Sequence, residues 1–211
     1  MQACLTTAYL APTEYYLALA KADKIFLEHH DNYVKQTYRN RCRIATANGT
    51  MDLTIPVEKI SGEKQLTRDV KISYYNDWQV QHWRSIESAY NSTPFFEYYK
   101  DDFMPLYEKK WTFLWDFNHA LMDKAFELLD LTPRIILTET YQPVLAEGIV
   151  DLRERIHPKK ESDEKTNFKK YYQVFEQKLG FIPNLSIIDL LFNMGNEAVL
   201  VLEGDKRRKE K

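Results

Sequence analysis

The chain is poor in glycine and cysteine, and it lacks the short motifs of the best-known enzyme classes. Its 211 residues include 6 glycines and 2 cysteines. There is no glycine-rich phosphate loop, no Gly-x-Ser-x-Gly nucleophile elbow and no His-Glu-x-x-His zinc motif. These absences exclude the standard nucleoside triphosphatases, dinucleotide oxidoreductases, serine hydrolases and zinc proteases. Cys4 and Cys42 cannot supply the disulfide framework of a small secreted domain.

A surplus of charge and a long apolar run are also missing. Lys and Arg number 29 against 31 Asp and Glu, which gives a net formal charge of −2. This balance gives no electrostatic case for a DNA or RNA partner. No window approaches the roughly 18 apolar residues that a membrane span needs, and the N-terminus has no secretory pattern. We therefore expect a cytoplasmic protein without membrane insertion. The oligomeric state and any cofactor stay unknown at this stage.

The content of apolar residues, 44% of the chain, is sufficient for one folded domain over residues 1–211. Residues 5–10 resemble a buried strand, and a helix from Thr13 to about Asp23 follows the turn at Pro12. Residues 24–27 form a second predicted strand. A strand, a helix and a strand within about 30 residues indicate a βαβ unit with parallel strands. Functional residues in such sheets collect beyond the carboxyl ends of the strands.

The next segments predict a hairpin and then helices. Asn48-Gly49 is a strong hairpin turn that leads into a strand over residues 51–57, and residues 66–73 are predicted as another strand. Helical periodicity runs from residue 76 to 131, and residues 134–138 could return to the sheet. The predicted fold class is therefore α/β, with a mainly parallel Rossmann-like sheet, an inserted β-hairpin and a helical layer. An α+β arrangement is the alternative.

Near the C-terminus, charge predicts exposure. Residues 151–170 are dense in acidic and basic side chains, so we expect a solvated loop or a lid. Ser186 and Asp189 have the spacing of a capping box, with Gly195 at the end of the same helix. Residues 203–211 are predicted to be a frayed tail.

The richest chemistry lies in residues 28–44. Residues 32–51 carry Lys35, Arg39, Arg41 and Arg43 without any acid. The segment is therefore locally positive although the net charge of the whole chain is close to zero. If residues 38–44 are extended, the three arginines share one face, where they could hold phosphate or carboxylate. Pairing with surface acids is an equally good interpretation. Other candidate contacts to a substrate are Asn40, Tyr9, Tyr15, Tyr33 and Tyr38, with the tyrosines able to stack on a base.

Three residues are candidates for catalysis. His29 follows the second predicted strand, Asp31 lies two residues later, and His82 flanks the apolar face of a predicted helix. A histidine titrates near neutral pH and could act as acid or base. Neighbouring His29 and His30 would point to opposite faces of a strand, which disfavours a shared metal, so no metal site is predicted. The structural alternative for His29 and Asp31 is a polar loop bonded to the neighbouring backbone. For His82 it is a half-buried histidine satisfied by a neighbour.

Several blocks together resemble the WbqC-like protein family, in the branch common in Bacteroidetes. They run over about residues 5–195 and comprise Tyr9-Leu10-Ala11-Pro12, Tyr15-Tyr16, residues 31–44 with Arg39-Asn40-Arg41, residues 53–57, Trp78, His82-Trp83, Tyr90-Asn91-Ser92-Thr93-Pro94-Phe95-Phe96 and Leu185-Ser186-Ile187-Ile188-Asp189. Many members carry two acids at the positions of His29 and His30, so a carboxylate mechanism does not transfer directly.

The resemblance implies a context of surface polysaccharide synthesis and transfer of amino-acyl, acyl or nucleotidyl groups. The predicted substrate is a phosphate-bearing small molecule or a nucleotide sugar. The strand layout is also similar to that of adenylyl-transferring Rossmann-like enzymes, although their paired histidine motif is absent. A non-catalytic binding or scaffold protein of an envelope pathway is the rival prediction. A metal-dependent hydrolase using His29, Asp31 and His82 is a weaker one.

Overall fold

The computed structural model describes residues 1–59, 64–162 and 168–203, with the side chain of residue 203 left out. Its centre is a parallel sheet of four short strands in the order β5-β2-β1-β6, made of β1 (Gln2–Thr6), β2 (Lys24–Glu28), β5 (Ile135–Leu137) and β6 (Ile149–Asp151). In the register, Leu5 lies beside Leu27, and Ile25 lies beside Ile135. The sheet with its added hairpin and helices confirms the predicted α/β class.

The predicted βαβ unit is present. α1 (Thr13–Lys21) connects β1 and β2, which pair in parallel. β1 ends at Thr6, earlier than predicted, and the apolar residues that follow form a buried turn with Leu10 at a φ of 40°. Pro12 is the N-cap of α1, and the Thr13 hydroxyl donates to the Leu185 carbonyl at 3.0 Å. The apolar run after Thr6 therefore serves the core without extending the strand.

The predicted hairpin is present, and its turn lies between Thr46 and Gly49. β3 (Arg41–Thr46) and β4 (Gly49–Thr54) pair antiparallel, and Gly49 has a φ of 123°. The strand predicted over residues 66–73 is wrong. A 3₁₀ turn (Thr67–Asp69) occupies its start, and isolated bridges pair Val57 with Ile72 and Lys71 with Phe113. Its apolar side chains, Val70 and Ile72, are buried without a continuous ladder.

The helical layer consists of α2 (Trp78–Tyr90), α3 (Phe96–Glu108) and α4 (Leu114–Leu128). Its core is aromatic: Phe117 contacts Trp78 and Tyr107 with ring centroids 5.6 and 5.5 Å apart. Aromatic pairs at such distances contribute beyond their buried area. Along the described part of the chain, no helix is long and apolar enough to cross a membrane.

The C-terminal part differs from the prediction at the capping box and at the start of the charged segment. α5 (Glu176–Leu179), α6 (Ile187–Met194), a 3₁₀ turn (Gly195–Glu197) and α7 (Ala198–Glu203) follow the sheet. There is no capping box: the Ser186 hydroxyl donates to the Leu10 carbonyl at 2.8 Å, and buried Asp189 accepts from Tyr90 and Tyr171. The charged segment of residues 151–170 begins inside the sheet, and Arg153 is only 5% exposed. Residues 163–167 of that segment and residues 204–211 of the predicted tail lie outside the described residues.

Substitution of Gly195 by alanine tests the packing under α6. Gly195 has a φ of 56°, and an added Cβ would lie 2.5 Å from the Phe95 ring. Gly180 has a φ of 72° with nothing near its Cβ position. Both alanine variants should lose about 1–3 kcal/mol from backbone strain, and Gly195→Ala should lose a further ~1–3 kcal/mol from overpacking. Urea denaturation of both variants measures the difference. Equal losses would show that the Phe95 ring moves aside freely.

Candidate functional site

The strand order marks one edge of the sheet as the place for a site. From β1 the chain crosses to β2 and then to β5 on one side, and it returns to β6 on the other side of β1. In open parallel sheets, ligands bind beyond the carboxyl ends of strands where this direction reverses. A crevice lies there between the loops after β1 and β6, lined by Thr6, Thr7, Tyr15, Arg39, Arg153 and Ile156. We call it the β1/β6 crevice.

The crevice is narrow and contains a buried charged side chain, Arg39. Its open space of about 10 Å³ is close to the room needed by one water molecule. Arg39 is 2% exposed and lies against two carboxylates: its Nη2 is 2.6 Å from Asp31 Oδ2 and 2.7 Å from Glu154 Oε1. The Thr6 hydroxyl also donates to Asp31 Oδ2, at 3.0 Å. Burial opposes the charge of Arg39, but the two acids outweigh it and raise the pKa of the guanidinium.

Two atoms of this cluster are left without partners. Asp31 Oδ1 and Arg39 Nε are shielded from solvent and have no hydrogen-bond partner among the described residues. Buried polar atoms are nearly always paired. An additional polar group, from water or a ligand, would satisfy them.

A second buried ion pair lies beside the first. Arg153 Nη1 is 3.4 Å from Glu28 Oε2, and Arg153 Nη2 is 2.6 Å from Asp151 Oδ2. The hydrogen bond from Arg153 holds the pKa of Asp151 below its usual range. Glu28 Oε1 accepts from the backbone of His30 at 2.7 Å and from the Thr138 hydroxyl at 2.8 Å. Glu28 and Arg153 were missed from the sequence, where 151–170 resembles a solvated segment. The apolar pair Ile149-Val150 before it was the available signal.

His29 lies at the carboxyl end of β2 with a partly exposed ring. Its centroid is 4.2 Å from that of His30 and 5.3 Å from that of Trp115. Burial and the neighbouring His30 lower the pKa of His29. The imidazole is therefore neutral at neutral pH and able to accept a proton.

His82 lies elsewhere, inside the helical layer and only 6% exposed. Its Nδ1 is 2.9 Å from the Tyr9 hydroxyl, which is 2.7 Å from the Tyr107 hydroxyl. Burial lowers the pKa of His82 to about 4. His29, Asp31 and His82 thus contact different neighbours. The described residues also contain no group of three or more His, Cys, Asp or Glu side chains that could hold a metal ion.

The three arginines do not share one face, contrary to the prediction. Arg41 and Arg43 both contact Asp52 on the neighbouring strand, at 3.4 and 2.8 Å. Arg39 precedes β3 in a turn and is buried. The strand begins only at Arg41 because Asn40 closes the hairpin base: its side-chain amide donates to the Ile55 carbonyl at 2.9 Å.

The other residues predicted to contact a substrate, four tyrosines and Lys35, differ in how far they are exposed to solvent. Tyr9 is fully buried, and Tyr15 and Tyr38 are buried in the wall of the crevice. The Tyr15 hydroxyl donates to the Thr6 carbonyl at 3.0 Å. Burial raises the pKa of Tyr33 to about 12, and Lys35 is exposed in a turn. None of the three buried tyrosines presents a free ring face for stacking on a base.

The two kinds of arginine should respond differently to truncation. Arg39→Ala leaves Asp31 buried without its cation, so we expect a loss of about 3–5 kcal/mol in the free energy of unfolding. Arg41→Ala removes a partly exposed contact and should cost less than about 1 kcal/mol. Chemical denaturation of both variants checks this. Similar losses would contradict a structural role that is special to Arg39.

Acid should weaken the fold through His82. With a pKa of about 4 in the folded state and about 6.5 in the unfolded chain, the unfolded state binds more protons between these pH values. Stability therefore falls as the pH drops through this window, by up to about 3 kcal/mol. His82→Gln should remove this contribution, so its stability difference from the wild type should change between pH 4 and 6.5. Parallel pH curves for the two proteins would contradict the assignment.

Comparisons with known proteins give a family but no activity. The model of the WbqC-like protein family matches residues 7–160 and 153–201. The uncharacterized protein Rv1507c of Mycobacterium tuberculosis (strain ATCC 25618 / H37Rv) is 26% identical over 224 residues, covering 93% of this chain and 94% of that protein. No solved structure matches. The family match covers both walls of the β1/β6 crevice and the helical layer, and the chain belongs to the WbqC-like protein family.

Proposed function

We propose that the protein is a group transferase of the amino-acyl, acyl or nucleotidyl type whose phosphate-bearing or nucleotide-sugar substrate binds in the β1/β6 crevice. The observation that carries the proposal is the environment of the Arg39 guanidinium. Its guanidinium is buried at the carboxyl edge of the sheet with Nε unpartnered among the described residues, and one of its two carboxylates, Glu154, has a side chain that is 55% exposed. The family implies a context of surface polysaccharide or envelope biosynthesis, and the low cysteine content favours the cytoplasm.

Glu154 is the replaceable partner of Arg39. Asp31 is buried on the same guanidinium and is held by the Thr6 hydroxyl as well, whereas Glu154 is bound to Arg39 from the solvent side. Guanidinium presents a planar fork of donors that suits phosphate as well as carboxylate. A phosphate oxygen taking the position of Glu154 Oε1 would keep Arg39 paired. The small open space means that the loop after β6 must move outward when a substrate enters.

His29 is the proposed proton acceptor for the transfer. Its ring is partly exposed, it follows β2 directly at the same edge of the sheet, and its lowered pKa keeps it neutral at neutral pH. A neutral imidazole can take a proton from an attacking hydroxyl or amine. Asp31 and Glu28 then serve to position the two arginines, and His82 serves to hold Tyr9.

One observation favours the rival role of a non-catalytic binding or scaffold protein. Arg39, Arg41, Arg43 and Arg153 all contact carboxylates already, which is how arginines behave in purely structural ion pairs. The hydrolase alternative lacks a comparable observation, since His29, Asp31 and His82 contact different neighbours.

Replacement of Glu154 separates these roles. Glu154→Gln removes the competing negative charge from Arg39, so the affinity for nucleotide sugars should rise about two- to fivefold. Asp52→Asn is the matched control, because it frees Arg41 and Arg43 on the hairpin and should leave the affinity unchanged. Isothermal titration calorimetry with UDP-, GDP- and CMP-linked sugars and with acyl-adenylate mimics measures both effects.

The possible results point in different directions. If neither the wild type nor Glu154→Gln binds any compound, the transferase proposal fails and the scaffold role is favoured. If Asp52→Asn raises the affinity and Glu154→Gln does not, the anion site is on the hairpin. Where binding is found, His29→Ala should abolish formation of the group-transfer product, followed by mass spectrometry, at unchanged affinity.

A further inference from the structure

A large open cavity lies between α2 and α3, away from the sheet edge. Its volume is about 610 Å³, and it shares no lining residue with the β1/β6 crevice. Small-molecule sites commonly measure about 300–1,000 Å³. Tyr74, Asn76 and Asp77, which precede α2, form one end of it. We call it the α2/α3 cleft.

Aromatic and apolar side chains line much of this cleft. Trp83 on α2 and Tyr107 on α3 lie with ring centroids 5.6 Å apart, and Trp78 and Tyr74 add two further rings. Val80 and Met104 are 49% and 39% exposed. Water meets apolar surface here, and a ligand with an apolar face would displace it favourably.

Two buried polar atoms of the lining residues have no partner. Trp78 Nε1 and Asn76 Oδ1 are shielded from solvent and make no hydrogen bond to any described residue. Trp78 is 2% exposed as a whole. The indole nitrogen only donates and the amide oxygen only accepts. A hydroxyl group does both, so hydroxyl groups complement this pair of atoms.

The charges around the cleft argue against an ionic ligand. Asp77, Glu87 and Glu108 face Arg84 and Lys110, which gives 2 − 3 = −1 for the lining residues. This balance offers no excess of cations for a phosphate. A cationic ligand would compete with Lys110, whose ammonium already lies 5.3 Å from the centroid of the Tyr74 ring. A neutral ligand meets neither obstacle.

We propose that the α2/α3 cleft binds a neutral, ring-shaped ligand that carries several hydroxyl groups, namely a pyranoside sugar. The apolar face of a sugar ring stacks on the aromatic walls, and its hydroxyl groups bind the mixed charges of the rim. A small shift of the lining side chains on binding opens Trp78 Nε1 and Asn76 Oδ1 to the same hydroxyl groups. This site is independent of the proposed transfer reaction, because its occupancy requires neither the crevice nor Arg39.

The test uses Val80, whose exposed side chain reaches into the cleft. Val80→Arg should fill the apolar opening, whereas Gln81→Arg adds the same charge one residue along α2, at an exposed position outside the lining. The probes are the methyl pyranosides of glucose, galactose, mannose and N-acetylglucosamine, with adenosine as a flat aromatic probe and choline as a cationic one. Saturation-transfer NMR and calorimetry on the full chain measure binding, and circular dichroism confirms that both variants are folded.

We expect at least one pyranoside to bind the wild type, with saturation strongest at the protons of its apolar face. Val80→Arg should weaken this binding about tenfold or more, and Gln81→Arg should leave it unchanged. Binding of adenosine or choline without any pyranoside overturns the ligand class. Absence of binding by every probe, or pyranoside binding that survives Val80→Arg, overturns the site. Because the probes carry no phosphate, failure here leaves the proposed function standing, and the reverse also holds.

Discussion

The buried ion pair between Asp31 and Arg39 is the contact on which the sheet edge depends. It joins the end of β2 to the turn before β3, and the Thr6 hydroxyl on Asp31 adds the end of β1. Glu154 brings the loop after β6 to the same guanidinium. Burying both charges costs several kcal/mol in lost hydration, which the pair recovers only through good geometry. The pair therefore adds little net stability, while the loss of either member would leave a charge stranded. Its main effect is to fix where four segments meet.

Away from this edge, Asp189 and His82 are buried without an ion-pair partner among the described residues. Within the part of the chain that the structure describes, the side-chain donors to Asp189 are all neutral, namely Tyr90, Tyr171 and Gln173. Burial raises the pKa of Asp189 to about 6 despite these hydrogen bonds. Its ionisation therefore works against folding as the pH rises from about 4 to 6. His82 acts in the opposite direction over a similar window, since it is buried as a neutral ring. The helical side of the molecule thus favours uncharged forms, and compensated buried charge gathers where parallel strands end.

The sequence predicts what depends on local pattern. The βαβ unit follows from two apolar runs around a helix, the hairpin from Asn48-Gly49, and the helical layer from the period of its aromatic residues. Arg39 was expected on one face with Arg41 and Arg43 because alternation assumes a strand over residues 38–44. The strand begins only at Arg41, after Asn40 closes the hairpin base. Arg153 was expected in solvent because its neighbours are charged. Its burial depends on Glu28, which is 125 residues away in the chain. Such long-range pairing leaves no periodic trace in the sequence.

The crevice and the cleft are connected by one short hydrogen-bonded chain. Tyr107 lines the cleft, and its hydroxyl contacts the hydroxyl of Tyr9, which also contacts His82. Tyr9 belongs to the turn after β1, where Thr7 and Ala8 line the crevice, and its backbone amide donates to the carbonyl of Tyr38 in the opposite wall. The three side chains are buried, and close-packed interiors transmit small displacements. The contacts between the α3 side of the cleft and the turn that shapes the crevice are therefore continuous. They link the two proposed sites, which share no lining residue, through buried side chains.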